Sequence, residues 1–97
     1  MELLAARPER LMGPLVSVVM SVRNGEAWLA RSLASILTQS YQHLELIVVD
    51  DGSTDRSGEI AAGTGDPRVI VLTEPARGLT PSLNRAIERS RGALIAR

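Results

Sequence analysis

The sequence contains no cysteine, which excludes disulfide bonds, thiolate nucleophiles and cysteine-based metal sites. It also lacks an excess of either charge, because 11 basic residues balance 11 acidic ones. A chain without a basic excess has no large positive field to hold a phosphate backbone, which disfavours nucleic acid as a partner. The absence of cysteine is typical of a reducing compartment, and we expect the protein to be cytoplasmic.

Long apolar runs are also absent. Runs such as Leu46 to Val49 are far shorter than the roughly 18 residues that indicate a membrane span. The first residues carry charges and lack the apolar core of a signal peptide. We interpret residues 1–14 as an N-terminal arm and residues 15–97 as one domain or part of one.

Strand and helix patterns alternate along the rest of the chain. The segments Val16 to Val22 and Leu44 to Val49 are almost continuously apolar, which is typical of parallel strands covered on both faces. Apolar residues at helical spacing predict a helix over residues 26–39 between them. The other predicted elements are a short helix to about Ala62, a strand Arg68 to Thr73, a helix from Thr80 to Arg91 and a strand Ala93 to Arg97.

Several polar and glycine residues are predicted to end or begin these helices. Asn24 is expected to cap the first helix, and Ser53, Thr54 and Asp55 compete to cap the short one. Gly63 and Gly92 fit the C-terminal ends of the second and third helices.

The alternation predicts a doubly wound α/β fold with a mainly parallel, Rossmann-like sheet of about four strands and three helices. In such sheets, ligands bind in the crevice at the carboxyl ends of the strands. The candidate segments are therefore residues 21–25, 50–55 and 74–80. If the strand order is 3-2-1-4, the last strand forms a sheet edge, and we expect self-association through it.

Asp50 and Asp51, at the end of the second strand, give the strongest local signal. Adjacent side chains on a strand point to opposite faces, so one carboxylate can pack on hydrogen-bond donors while the other faces the crevice. A carboxylate there can accept hydrogen bonds from a uracil ring N–H or from ribose hydroxyls. Gly52 permits a positive φ and a close backbone approach. The alternative is a structural turn, which we favour for Ser53 and Asp55 and leave open for Asp51.

The residues after the first strand, SVRNGE, contain no GxGxxG motif, which disfavours a dinucleotide site and a dinucleotide-dependent oxidoreductase. Arg23 could stack on a base or pair with a phosphate, or could be a solvated surface residue. His43 has no partner at metal-ligand spacing, and we assign it no function. Trp28 is expected to pack at the core or its rim.

The blocks VSVVMSVRN, SLASILTQSY, LELIVVDDGSTD and GLTPSLNRAIERSRGALIA resemble the inverting glycosyltransferases of family 2, whose catalytic domain has the GT-A fold. The resemblance runs from about Leu15 to Arg97. It implies sugar transfer from a nucleotide-sugar donor, here expected to be a UDP-sugar, to an acceptor hydroxyl with inversion. It further implies a nucleotide site at Ser21, Arg23, Asp50, Asp51 and Gly52, with Arg77 and Asn84 as candidate contacts to the phosphates or the rest of the donor.

The resemblance also implies a divalent metal, Mn or Mg, held by a DxD motif that follows the fourth strand. This sequence ends at Arg97, where that motif is expected, so we interpret it as the N-terminal part of a longer enzyme that is inactive alone. The alternative is a non-catalytic α/β module that binds a nucleotide or serves in assembly.

Overall fold

The computed structural model describes residues 13–96. These residues form strands and helices in strict alternation, as the sequence predicts. The elements are β1 (Val16–Val22), α1 (Leu29–Leu37), β2 (Leu44–Asp51), α2 (Ser57–Ala62), β3 (Val69–Glu74), α3 (Leu79–Arg89) and β4 (Leu94–Ala96). The interpretation of residues 1–14 as an arm falls almost entirely outside the described residues.

The four strands pair in parallel in the order β3-β2-β1-β4. In the central pair, Val16 aligns with Leu44 and Val22 with Asp50. All eight residues of β2 are buried, which explains the apolar run Leu46–Val49 in its middle. This topology confirms the predicted doubly wound α/β fold, and β4 lies at the edge of the sheet as expected.

The core has two layers, one on each face of the sheet. On one face, α1 and α2 contribute Leu29, Leu33 and Ala61 to a cluster with side chains of β1 and β2. On the other face, Ala86 of α3 packs on Val19, Ile47 and Val49. The alternation of side chains along each strand therefore decides which helices a strand residue meets.

Two helix boundaries differ from the sequence prediction. Helix α1 begins at Leu29 rather than near Glu26, because the carbonyl of Gly25 accepts the N–H groups of Trp28 and Leu29 in a preceding turn. Asn24 does not cap α1 as predicted; its φ is 52° and its side chain binds another loop. Helix α3 begins at Leu79, which places Pro81 in the first turn, where its missing N–H is not needed.

The prediction for Gly92 is also corrected. Helix α3 ends at Arg89 with Ser90 as its C-terminal cap. Gly92 instead lies against β1, where a Cβ would meet Ser17 Oγ at 2.5 Å and Leu15 O at 2.8 Å. A glycine is therefore required here by close packing of the backbone on β1 rather than by the end of the helix.

Candidate functional site

The adjacent carboxylates at the end of β2 point to opposite faces of the sheet, as the sequence predicts. Asp50 Oδ1 accepts the N–H of Ser53 at 3.1 Å, and its other oxygen lies close to Gly58 on the α2 side. Asp51 points to the side of α3. We expected one carboxylate to be exposed in the crevice, but both residues are buried, with 6% and 3% of their surface exposed.

Asp51 is covered by the loop between β3 and α3. Its Oδ1 accepts the backbone N–H of Arg77 at 2.8 Å, and its Oδ2 accepts that of Gly78 at 2.9 Å. The Arg77 N–H contributes most to holding the pKa of Asp51 below its usual range, against the opposing effect of burial. The carboxylate is thus ionised at neutral pH, and it occupies the N-terminal end of α3, where the helix dipole favours a negative charge.

Gly52 has the positive φ that the sequence predicts, 71°. A Cβ at this position would meet the backbone nitrogen of Ala76 at 2.6 Å. The close approach is therefore to the chain's own β3–α3 loop. Together, the contacts of Asp51 and Gly52 fix this loop over the carboxyl end of β2.

The other predicted site residues lie at different distances from Asp51 and the β3–α3 loop that covers it. Ser21 is half-buried in β1 on the same face of the sheet as Val19 and α3. Arg23 is exposed just beyond β1, and its positive charge helps to lower the pKa of Asp51. The structure thus brings Arg23 to the same part of the crevice as the Asp51 carboxylate.

Arg77 and Asn84 are exposed, but only Arg77 is near Asp51. The guanidinium of Arg77 lies 3.9 Å from the carboxylate of Glu74 and is 60% exposed, so it is accessible to an anionic ligand. Asn84 lies on the outer side of α3, in a shallow groove with Leu79 and Ile87. The structure does not bring Asn84 to the Asp51 contact.

The residues GSTD and Asn24 form a hydrogen-bonded network that the sequence analysis missed. Asn24 Oδ1 accepts the N–H of Thr54 at 2.8 Å, and Ser53 Oγ accepts the N–H of Asn24 at 2.9 Å. Asp55 Oδ2 accepts the N–H of Glu26 at 3.1 Å. The network joins the β1–α1 loop to the β2–α2 loop, so these polar residues shape the crevice edge.

Asp55 has the structural role that we favoured for it. Its Oδ1 accepts the N–H of Ser57 at 2.9 Å, at the start of α2. The Ser57 hydroxyl is the main cause of the lowered pKa of Asp55, and the N–H of Glu26 contributes as well. The Asp55 carboxylate is therefore occupied by donors within the chain.

The described residues do not offer a metal site. Within residues 13–96, no group of three or more histidine, aspartate or glutamate side chains could hold a metal ion. Each aspartate in that range accepts hydrogen bonds from the chain itself, at Ser53 for Asp50, Arg77 and Gly78 for Asp51, Ser57 and Glu26 for Asp55, and Arg68 for Asp66. None of the helices in this part of the chain is long and apolar enough to cross a membrane.

The arrangement defines an α/β protein with a polar edge at the carboxyl ends of parallel strands, where a buried, ionised carboxylate lies near two exposed arginines. Residues 17–97 match the family model described as glycosyl transferase family 2. The chain therefore belongs to glycosyl transferase family 2.

Relatives among characterised and uncharacterised proteins agree with this family. An uncharacterised glycosyltransferase of Haemophilus influenzae is 41% identical over 85 residues, covering 84% of this chain and 34% of the relative. The glycosyltransferase GlyG of Streptococcus pneumoniae is 41% identical over 87 residues, covering 87% of this chain and 29% of GlyG. The chain spans about a third of the length of these relatives.

A solved structure has the same fold. The mannosyltransferase PcManGT from Pyrobaculum calidifontis, in complex with GDP-Man and Mn2+, superposes with a TM-score of 0.76 at 29% identity. The match covers 84% of this chain and 26% of that one. The likeness confirms the predicted GT-A type of fold for the described residues.

Proposed function

We propose that the chain carries the nucleotide-binding part of an inverting glycosyltransferase, which transfers a sugar from a nucleotide-sugar donor to an acceptor hydroxyl. The observation that carries the proposal is the ionised carboxylate of Asp51 at the carboxyl end of β2, with Arg23 beside it, in a chain of this family. The complex of PcManGT with GDP-Man supports a nucleotide sugar as the donor class. We retain a UDP-sugar as the expected donor and treat GDP as its competitor in the test below.

In this proposal Asp51 accepts a hydrogen bond from the base. An ionised carboxylate oxygen can accept more than one hydrogen bond, so the contacts with Arg77 and Gly78 leave acceptor capacity. The nucleotide must reach a side chain that is only 3% exposed, and the loop over Asp51 has to adjust when it binds. Asp50 and Gly52 act here by shaping the turn that holds Asp51.

The two arginines are proposed as phosphate or base contacts. Arg23 is exposed beside Asp51, and its planar guanidinium can pair with phosphate oxygens or stack on a base. Arg77 donates its backbone N–H to Asp51 while its side chain extends towards solvent, where it can reach a diphosphate. Ser21 supplies a hydroxyl at the same edge of the sheet, and Asn84 remains a candidate for more distant parts of the donor.

A divalent metal, when bound in a glycosyltransferase of this kind, neutralises charge on the departing diphosphate. Residues 13–96 do not fit such a site, because no three metal-ligating side chains cluster there and each aspartate accepts hydrogen bonds from the chain. We therefore propose that the 97-residue chain binds a nucleotide without transferring a sugar. Manganese-dependent sugar transfer or donor hydrolysis by the purified chain would contradict this.

Isothermal titration of the purified chain with UDP, GDP, ADP and NAD tests the proposed site. We expect a nucleoside diphosphate to bind, and we expect Asp51→Asn to weaken binding by about tenfold or more, because an amide group replaces part of the acceptor. Glu88→Gln, at an exposed position on α3, is the matched control and should bind as the wild type does.

Each other outcome of the titration has a defined meaning. Equal affinity of Asp51→Asn and the wild type would remove Asp51 from the site. A preference for NAD would indicate an oxidoreductase, and the absence of binding by any nucleotide would favour the non-catalytic assembly module. Circular dichroism of each variant separates a loss of binding from a loss of folding.

A further inference from the structure

Glu45 is a buried carboxylate far along β2 from the proposed nucleotide site. It lies near the amino end of β2, next to the apolar run Leu46–Val49, and it is 5% exposed. A buried charge is costly unless hydrogen bonds compensate for it, so its partners are informative. They lie on β1 and on the connection from α3 to β4.

The carboxylate and its partner Ser17 hold this connection through consecutive backbone N–H groups. Glu45 Oε2 accepts the N–H of Arg91 at 2.6 Å and the hydroxyl of Ser17 at 2.6 Å. Ser17 Oγ in turn accepts the N–H of Gly92 at 2.8 Å, and Ala93 donates to Leu15 O at 2.9 Å. Of the residues between α3 and β4, Arg91 is thereby fixed to β2, Gly92 to β1 and Ala93 to Leu15, the residue before β1.

Burial opposes the ionised form of Glu45, but the hydrogen bonds outweigh it. The Ser17 hydroxyl and the Arg91 N–H lower the pKa of Glu45 below its usual range, and the charges of Arg91 and Arg89 add to this. The charged groups that face Glu45 are thus both basic and both belong to the end of α3 or the residues after it. The Arg91 Nε lies 3.8 Å from Glu45 Oε1.

Strand β4 has few other attachments among the described residues. It pairs with β1 at only three positions, and its side chains are exposed. Burial of its own apolar side chains therefore contributes little to holding it. The hydrogen bonds at its entrance therefore add to this short pairing with β1 in setting its position and register.

We propose that Glu45 is a positioning residue that fixes β4 in register beside β1. Since β4 runs towards the carboxyl edge of the sheet, Glu45 also sets where the chain reaches the crevice from this side. That second part rests on the proposed function, whereas the anchoring of β4 does not.

Hydrogen exchange of the 97-residue chain, resolved by residue, tests the anchor. Glu45→Leu keeps the size of the side chain and removes the acceptor, so exchange at residues 93–96 should accelerate by about tenfold or more relative to the amides of β2 and β3. Glu45→Gln keeps one acceptor oxygen and should restore part of the protection. Glu88→Leu and Glu88→Gln are the matched controls on an exposed position of α3.

Unchanged exchange at residues 93–96 in Glu45→Leu, or equal acceleration in all strands, would overturn the proposal. If Glu45→Leu does not fold, Ser17→Ala replaces it, because this variant keeps Glu45 and removes the hydroxyl that donates to Glu45 and accepts from Gly92. It should accelerate exchange at the same residues by a smaller factor, and protection equal to the wild type would overturn the proposal. Nucleotide titration of the variants reports on the proposed function separately, since loss of nucleotide binding does not alter the expected exchange pattern.

Discussion

Gly52 and Gly65 have almost the same left-handed backbone conformation, with φ of 71° and 72°. Their surroundings differ. A Cβ at Gly52 would meet the backbone nitrogen of Ala76 at 2.6 Å, whereas no atom of the described chain comes within 4 Å of a Cβ at Gly65. Alanine substitutions at the two glycines therefore separate the free-energy cost of the backbone conformation from the free-energy cost of close packing.

We expect Gly65→Ala to lower the free energy of unfolding by about 1 kcal/mol, which is the order of the conformational cost for a residue with a side chain. Gly52→Ala should lower it by about 2 kcal/mol or more, because the β3–α3 loop has to move as well. Urea denaturation of both variants measures the difference. Equal losses would show that the loop over Asp51 shifts freely.

The carboxylates at the end of β2 show how far a single sequence can predict a site. Their position after a buried strand, their opposite directions and the positive φ of Gly52 follow from local pattern and strand geometry. The burial of Asp51 does not, because its donors at Arg77 and Gly78 come from a loop whose path depends on packing against Gly52.

At the scale of elements, Arg68 joins segments that meet at the amino edge of the sheet. Its guanidinium donates to Leu37 O at the end of α1 at 2.9 Å and to Gln42 O before β2 at 3.1 Å. It also pairs with Asp66 at 2.8 Å, in the turn before β3. Loss of this residue would therefore loosen two connections together, from α1 to β2 and from α2 to β3.

The Asp66–Arg68 pair predicts a pH dependence of stability. The hydrogen bond from the Arg68 side chain contributes most to lowering the pKa of Asp66 from 3.8 to about 2. Because the pKa is lower in the folded state, the contribution of Asp66 is fully present above about pH 4 and is lost as the pH falls towards 2.

Urea denaturation at a series of pH values from about 2 to 6 checks this expectation. Asp66→Asn should be less stable than the wild type near pH 6, and the difference should narrow as the pH falls through the range between 3.8 and about 2. Glu88→Gln is the control for the loss of an exposed carboxylate. A constant difference across the series would mean that Asp66 stabilises the fold without its charge.

The helices and strands are predicted well where neighbouring residues determine them, and less well where residues distant in the sequence do. The bounds of β1 match the predicted Val16 to Val22, because a continuous apolar run directly indicates a buried strand. Asn24 and Gly92 were assigned to helix ends, whereas their partners are Thr54 and Ser17, which lie far away in the chain. Asparagine and glycine suit both helix ends and tertiary contacts, so the residue type in one sequence does not tell which of the two roles it has.

At the scale of the whole molecule, β4 is one of the two edge strands of the sheet, and its side chains are exposed. Leu94 and Ile95 of this strand are 56% and 47% exposed. Strand β4 covers β1 only as far as Val18, so Val19–Val22 have no strand on that side within the described part of the chain. The formal net charge of zero gives copies of the chain little mutual repulsion.

We propose that the 97-residue chain self-associates through β4 and the adjacent edge of β1. Light scattering over a concentration series should give a mass above that of a monomer at high concentration. Ile95→Lys should restore the monomer by placing a charge in the apolar contact. Ala62→Lys adds the same charge at an exposed position on α2 and should leave the association unchanged.

A strictly monomeric wild type at high concentration would contradict the proposed association. Dispersal by Ala62→Lys as well as by Ile95→Lys would assign the effect to net charge rather than to the β4 edge. The two variants therefore distinguish a specific contact from colloidal repulsion.

The strand order also dictates when the sheet can be completed during synthesis. Strand β1 pairs with β2 and also with β4, the first and last strands of the described residues being neighbours, since Val16 aligns with both Leu44 and Leu94. Once β1, β2 and β3 have left the ribosome, β1 can pair with β2 on one edge, but β4, its partner on the other edge, has not yet emerged. The nascent chain therefore keeps β1 half-paired until β4 emerges, and during that interval the free edge of β1 is open to chaperones or to neighbouring chains.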